Sequence, residues 1–407
     1  MDWTHINNKN VVPKGFSFSG MYAGLKASKR KDLALILAPN NSICSGVFTQ
    51  SIVRASCIDI CRERLTETSG LIRAILINSG HANACTGDLG ITDSLSATSE
   101  LSNLLGINQD EVLICSTGVI GIPIPIKNLI KGLPRLISKL GDNNLNDASE
   151  AILTTDLVPK KIVIETSIEG RNICIAGFAK GSGMIYPNMA TMLGFLFCDV
   201  GVEKNIWDQM ILEAVELSFN AISVDGETST NDTFLGINSG DKIEEKYLPH
   251  IKEGINFVCQ YLAKAIARDG EGANCLLEVL VQGALNDDDA VQIAKKITNS
   301  SLVKTAIHGC DPNWGRIISA AGNSGIFFNL DKVDLMIGDF LILKKGNIID
   351  YDKEKVVRYL QSKMNANYLK DDIVVIQINL NQGKGVGKSW GCDLSKKYIE
   401  INSEYTT

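Results

Sequence analysis

The stretch Lys180-Gly-Ser-Gly-Met-Ile-Tyr-Pro-Asn-Met-Ala190-Thr191-Met-Leu-Gly-Phe-Leu-Phe-Cys-Asp199 constrains the chain most. Its first half is a loop broken by glycine. From Thr191 an apolar run reads as a strand buried on both sides and closing at Cys198-Asp199. Such a strand belongs inside a layered fold. Thr191, directly behind Ala190, sits where a chain can cut itself and expose a new N-terminus. A hydroxyl nucleophile needs a base, and a free α-amine with a pKa of about 7.7–8.0 can be one. The plain alternative is a loop that enters a core strand, with threonine there as a good β-former.

The rest of the sequence narrows the classes. At 407 residues, 45% hydrophobic and 21% charged, the chain can hold one large domain or two to three ordinary ones with a sizeable core. A net charge of −6 gives no electrostatic footprint for nucleic acid. Lys26–Lys31 is the one short basic cluster, and it reads as a solvated turn. The first residues, Met1 to Lys14, are polar, and no run of about 18 apolar residues occurs, so a cytoplasmic protein with no membrane partner is expected. The eleven cysteines lack framework spacing and read as reduced, buried thiols. Cys57-x-x-x-Cys61 has no second pair, so no metal site is expected. Only four histidines are present, His5, His81, His250 and His308. That scarcity weakens a Ser-His-Asp arrangement and leaves room for a terminal amine as base.

Periodicity predicts strands at Leu33–Ala38, Leu71–Asn78, Glu111–Cys115, Lys161–Ser167, Asn172–Phe178, Cys275–Val281, Val333–Ile337 and Ile373–Leu380. It predicts helices at Asp93–Leu105, Ile126–Leu140, Glu203–Leu217, Ile251–Ala267, Val291–Lys304 and Glu354–Met364. Thr117-Gly118 is expected in a tight turn after its strand, able to aim a backbone N–H and a hydroxyl into a site, as an oxyanion hole requires. Gly383-Lys-Gly-Val-Gly387 reads as a mobile linker, and the C-terminal stretch to Thr407 as a final strand with a returning tail. Strands in pairs and runs, with helices segregated between them, argue for an α/β layered sandwich with mixed sheets rather than alternating βαβ units.

Lys-Gly-Ser-Gly-Met-Ile-x-Pro-x-Met-Ala-Thr-Met-Leu, from Lys180 to Leu193, resembles the cleavage motif of the ornithine acetyltransferase (glutamate N-acetyltransferase) family of arginine biosynthesis. The similarity runs along nearly the whole chain. It implies a self-cleaving fold of the N-terminal-nucleophile-like type with helices on the outer faces of mixed sheets. It also implies a cut between Ala190 and Thr191, giving an α chain of 1–190 and a β chain of 191–407, assembled as a heterotetramer of two of each. The implied reaction is ping-pong. Thr191 takes acetyl from N2-acetylornithine as an ester and hands it to glutamate, releasing ornithine and N-acetylglutamate. Some family members also accept acetyl-CoA, and no motif separates them; no cofactor is implied. Thr117 and Gly118 match the family's oxyanion pair. Lys180 and Glu271 match substrate-binding positions, plausibly for the carboxylate and the amine. Thr154 or Thr155 supplies a further hydroxyl, and Asn402 and Thr407 match the closing Asn-x-x-Tyr-x-Thr. Asp225–Asp232 resembles another block of the family, and as a polar run between apolar segments it is a fair place for substrate contacts.

Three departures stand out. His81 occupies a position where family members usually carry Asn. Asn274-Cys275 replaces the usual Thr-Lys after Gly-Glu-Gly-Ala, which bears on substrate affinity or choice, and Asp225-Gly-Glu227 is commonly Asp-Gly-Asp. Two other readings use the same residues. In one, an N-terminal-threonine amidohydrolase or aminopeptidase lets water take the acyl group. In the other, a non-catalytic scaffold never cuts.

Overall fold

Alternation in two central strands sets the layers. In Arg171–Lys180, Cys174, Ala176 and Phe178 enter one core while Ile173, Ile175 and Ala179 enter another. In Leu193–Cys198, Leu193, Phe195 and Phe197 join the first core while Leu196 and Cys198 join the second. Successive side chains on a strand point to opposite faces, so a strand apolar throughout must be covered on both sides.

The structure is a computed structural model that describes residues 2–6, 11–186 and 192–404. The seam residues Ala190 and Thr191, and Thr407, lie outside the described residues. The chain begins with β1 (Thr4–His5), β2 (Ser17–Met21), β3 (Leu33–Leu37), β4 (Ile43–Phe48) and α1 (Ser56–Glu67). Next come β5 (Ala74–His81), α2 (Gly87–Leu105), β6 (Val112–Val119), α3 (Ile126–Ile137) and α4 (Leu145–Ala151). The middle holds β7 (Lys160–Ile168), β8 (Arg171–Lys180), β9 (Leu193–Cys198), α5 (Lys204–Glu216), β10 (Thr233–Asn238) and α6 (Leu248–Arg268). Then follow β11 (Leu276–Ala284), α7 (Asp287–Thr298), α8 (Ser301–His308), α9 (Trp314–Gly322), β12 (Asp334–Ile337) and β13 (Phe340–Lys344). The chain closes with β14 (Asn347–Ile348), α10 (Lys353–Lys363), β15 (Ile373–Asn379), β16 (Gly385–Cys392) and α11 (Lys396–Ser403).

Three mixed sheets result. The central one has strand order β1-β7-β8-β9-β10-β4, with β8–β9 antiparallel and β9–β10 parallel. A four-stranded sheet, β2-β3-β5-β6, packs on one of its faces through Phe18, Phe178 and Phe197, and carries α1, α2 and α3 outside. Helices α5 and α6 cover the other face of the central sheet. The layering is therefore α-β-β-α, the class expected from the sequence. A third sheet, β14-β13-β12-β15-β11-β16, lies against α6 and is covered by α7 through its own core. No helix among the described residues is long and apolar enough to cross a membrane.

Several local expectations are corrected. The segment expected as one helix, 291–304, is two, because Ser300 caps a new start by accepting from the Val303 amide at 3.4 Å. Gly383–Gly387 runs into strand β16, which packs under α7, and is no linker. The C-terminal stretch begins as expected in a strand, with Trp390–Cys392 ending β16, but beyond it lies helix α11 rather than more strand, with Ser395 as its cap. Strand β6 continues through Thr117-Gly118, so the pair lies in a strand and not in a turn. Helix α1 and strands β2, β10 and β13 were not anticipated. Strand β2 is rich in Gly and Ser, and α1 carries Cys57 and Cys61 one turn apart in the core.

Candidate active site

The parallel pair β5–β6 ends in a register shift at Gly80/His81 opposite Thr117 and Gly118. Gly118 has φ +134°, and a Cβ there would overlap the backbone of Gly80 and His81. Only glycine lets the two strands close this tightly. Asn231, buried, ties the same strand ends together. Its amide donates to the carbonyls of Ala82 at 2.6 Å and Ser116 at 2.8 Å. Among the described residues the Thr117 hydroxyl has no hydrogen-bond partner.

Next to this pair, Thr117, Gly118, Thr154, Thr155, Lys180, Glu271 and Asn402 line one cavity of about 370 Å³. Every expected site residue that is described thus faces the same space. Ala82, Gly183, Met184 and Ser229–Asn231 complete much of the wall. Thr154 and Thr155 sit between α4 and β7, where the Thr154 amide donates to Asp156 at 3.0 Å. Lys180 is the last residue of β8, paired with Leu193 at the start of β9.

The charges are organised by a buried network that motif reading missed. Lys160 donates to Asp156 and to Asp269, each at 2.6 Å, with all three side chains almost wholly out of water. The Gly181 amide also donates to Asp156, at 2.7 Å. Burial alone would raise the Asp156 carboxyl, but the Lys160 and Lys180 ammonium groups hold it well below the usual carboxylate range. Lys180 is 3% exposed, and among the described residues its ammonium has no hydrogen-bond partner. Burial pushes it down against the attraction of Asp156. Protonated, it is a cation whose donors can meet a ligand carboxylate.

Elsewhere on the wall the Glu271 amide donates to the Ser182 carbonyl at 3.0 Å, and Asn402 Nδ2 donates to Glu271 Oε2 at 2.7 Å. A Cβ on Gly183 would run into the Glu271 carboxylate, so the glycine-broken loop is what admits this acid to the cavity. Helix α11 delivers Asn402, and Tyr398 on the same helix donates to Asp225 at 3.2 Å.

The block 225–232 serves two purposes. Ser229, Thr230 and Asn231 line the cavity. Asp225 and Asp232 hold the two described ends of the seam. Asp225 accepts from the Met184 and Ile185 amides at 2.6 and 2.8 Å, and Asp232 accepts from the Met192 amide at 2.8 Å. Burial raises the Asp232 carboxyl well above the usual range. Asn274 and Cys275 do not line the cavity. They hold the buried Asp393 through the Asn274 amide at 2.6 Å and the Cys275 amide at 3.1 Å, and His308 meets the same carboxylate at 2.9 Å. Among the described residues no three His, Cys, Asp or Glu side chains gather to hold a metal.

The arrangement suits acyl chemistry on an amino acid. A buried lysine and a glutamate line the same small cavity, which ends at a strand pair held close by Gly118. A family model described as the ArgJ family matches residues 17–407. The "Arginine biosynthesis bifunctional protein ArgJ" of Prochlorococcus marinus subsp. pastoris is 71% identical over 395 residues, covering 97% of this chain and 98% of its own. The "Arginine biosynthesis bifunctional protein ArgJ 1" of Nostoc sp. is 47% identical over 416 residues, covering 100% of both. Among solved structures, the ornithine acetyltransferase of Mycobacterium tuberculosis complexed with ornithine is 33% identical over 46% of this chain and 98% of its own, with a TM-score of 0.43. By the near-complete family match and the identities to the two Arginine biosynthesis bifunctional proteins, the chain belongs to the ArgJ family.

Proposed function

We propose that this chain is a self-cleaving glutamate N-acetyltransferase of arginine biosynthesis that moves acetyl from N2-acetylornithine to glutamate. Thr191 Oγ first attacks the Ala190 carbonyl. An N→O acyl shift and hydrolysis then leave chains of 1–190 and 191–407. The freed α-amine of Thr191 acts as base for its own hydroxyl. That hydroxyl adds to the acetyl carbonyl, the C–N bond to ornithine breaks, and the departing amine takes the proton. The acetyl group is left as a threonine ester. The amine of glutamate attacks the ester and regenerates the hydroxyl.

The cavity supports the remaining roles. Thr117 and Gly118 are assigned to the developing oxyanion, where loss of one donor typically costs about 2.7–4 kcal/mol. Lys180 is assigned to the α-carboxylate, and Glu271, steadied by Asn402, to an amine of the substrate. Thr154 or Thr155 adds a hydroxyl. The observation that carries the reading is the convergence of Thr117, Gly118, Thr154, Thr155, Lys180, Glu271 and Asn402, from separate parts of the chain, on one cavity. Two chains of each kind form the working assembly, in the cytoplasm.

The test is ornithine release from N2-acetylornithine with and without glutamate. Release that needs glutamate, with N-acetylglutamate formed in equal amount, is expected. Equal release without glutamate means that water is the acceptor and overturns the assignment.

A further inference from the structure

A second cavity of about 320 Å³ adjoins the first, and the two share Gly118, Val119 and Thr154. Its wall gathers Lys26 and Arg30, from the loop between β2 and β3, and His81, from the end of β5. The basic cluster that reads as a solvated turn in the sequence thus borders the oxyanion strand. Lys26 Nζ donates to the carbonyls of Lys31 at 3.1 Å and Leu153 at 2.5 Å, which leaves one N–H. Arg30 is exposed and donates from Nη2 to the Thr154 carbonyl at 3.2 Å, so most of its five N–H groups are uncommitted. His81 Nδ1 is buried and, among the described residues, has no hydrogen-bond partner. Buried polar atoms are nearly always paired, and this one is left over on a side chain that borders the cavity.

The acids nearest these groups are already satisfied. Asp32 accepts the amides of Ala23, Leu25 and Lys26 at 2.6, 2.7 and 3.0 Å. Asp156 is held by Lys160 and Gly181. Burial, with Arg30 beside it, pushes the Lys26 ammonium down to about 8. An arriving anion would raise it again.

We propose that this second cavity is an anion subsite, which takes a carboxylate or phosphate group of a substrate whose reacting end lies at Thr117-Gly118. The proposal rests on the acetyltransferase reading above. Two substrates carry that chemistry: glutamate through its side-chain carboxylate, and a coenzyme A thioester, used as acetyl donor, through its phosphates.

Steady-state kinetics on processed wild type, Arg30→Gln and His81→Asn test it, each with a charged ligand and its uncharged counterpart. Glutamate is compared with its γ-methyl ester, and acetyl-coenzyme A with acetyl-pantetheine. For the true ligand the variants should raise KM about tenfold, the size of one lost charge-assisted contact, with kcat nearly unchanged and the uncharged counterpart unaffected. A charge-dependent effect on glutamate alone identifies the carboxylate, and one on the thioester alone identifies the phosphates. Equal effects on charged and uncharged ligands, or none, overturn the subsite and assign Lys26 and Arg30 only to holding the 153–154 turn. Glutamate-dependent transfer by wild type tests the parent reading separately, and its absence would remove both.

Discussion

Lys160 is held by two carboxylates where water does not reach, and it carries the stability of the site. Removing one partner from such a buried network typically costs about 3–5 kcal/mol, because the remaining charges stay buried. Lys160→Met should lose that much in urea unfolding, whereas a loss below about 1 kcal/mol would remove the network as the site's support. Lys180 behaves in the opposite way. Burial disfavours its charge, and only Asp156 and more distant acids oppose that. Lys180→Met should leave the unfolding midpoint unchanged or raise it, while KM for N2-acetylornithine rises about tenfold or more. A stability loss matching the functional loss would instead make Lys180 structural. The acid limb of stability follows from Asp156, whose folded pKa lies below its unfolded value of about 3.9. Its contribution is complete above about pH 5 and is lost as pH falls through the ordinary carboxylate range and below. Urea unfolding between pH 3 and 6 should show that slope in wild type, and Asp156→Asn should flatten it.

At the scale of elements, helix α11 is a delivery device. It spends Tyr398 on Asp225 and Asn402 on Glu271. Asn402 is exposed, so Asn402→Ala should change thermal stability little, yet raise KM several-fold, by roughly the value of one hydrogen bond to a charged group. Thermal melting and kinetics on the same preparation check both halves. This element also shows where the sequence falls short. Tyr398-Ile-Glu-Ile alternates apolar and polar residues as a strand does, and the helix is declared only by its Ser395 cap. Strands β8 and β9 were legible because their apolar runs are continuous, and α5 and α6 because their apolar faces repeat at helical spacing. Ser300, a single capping residue, was enough to divide one expected helix into two. Of the site, Thr117, Gly118, Lys180, Glu271 and Asn402 were legible through motif blocks. The partners Asp156, Lys160 and Asp269 were not, since only the fold brings residue 269 beside residue 156. Asp232 likewise gives no local sign that it will hold the amide of Met192.

For the whole molecule, the division at residue 190 does not coincide with a division of the fold. Strands β9 and β10, from the second segment, lie inside the central sheet between β8 and β4, from the first. Both faces of that sheet draw on both segments. A chain cut before Thr191 should therefore stay associated through the β8–β9 and β10–β4 ladders, eluting as one species in native size exclusion and separating only in denaturant. In such a cut chain the new N-terminus would come two residues before β9 in sequence, and the entry of β9 is fixed by the Met192–Asp232 bond. The mechanism depends on that terminus, because the described cavity offers no histidine to act as base. Intact mass measurement of purified, active protein under denaturing conditions tests this most directly. Two chains corresponding to 1–190 and 191–407 are expected. A single unbroken chain of 44.1 kDa that still transfers acetyl to glutamate would contradict it.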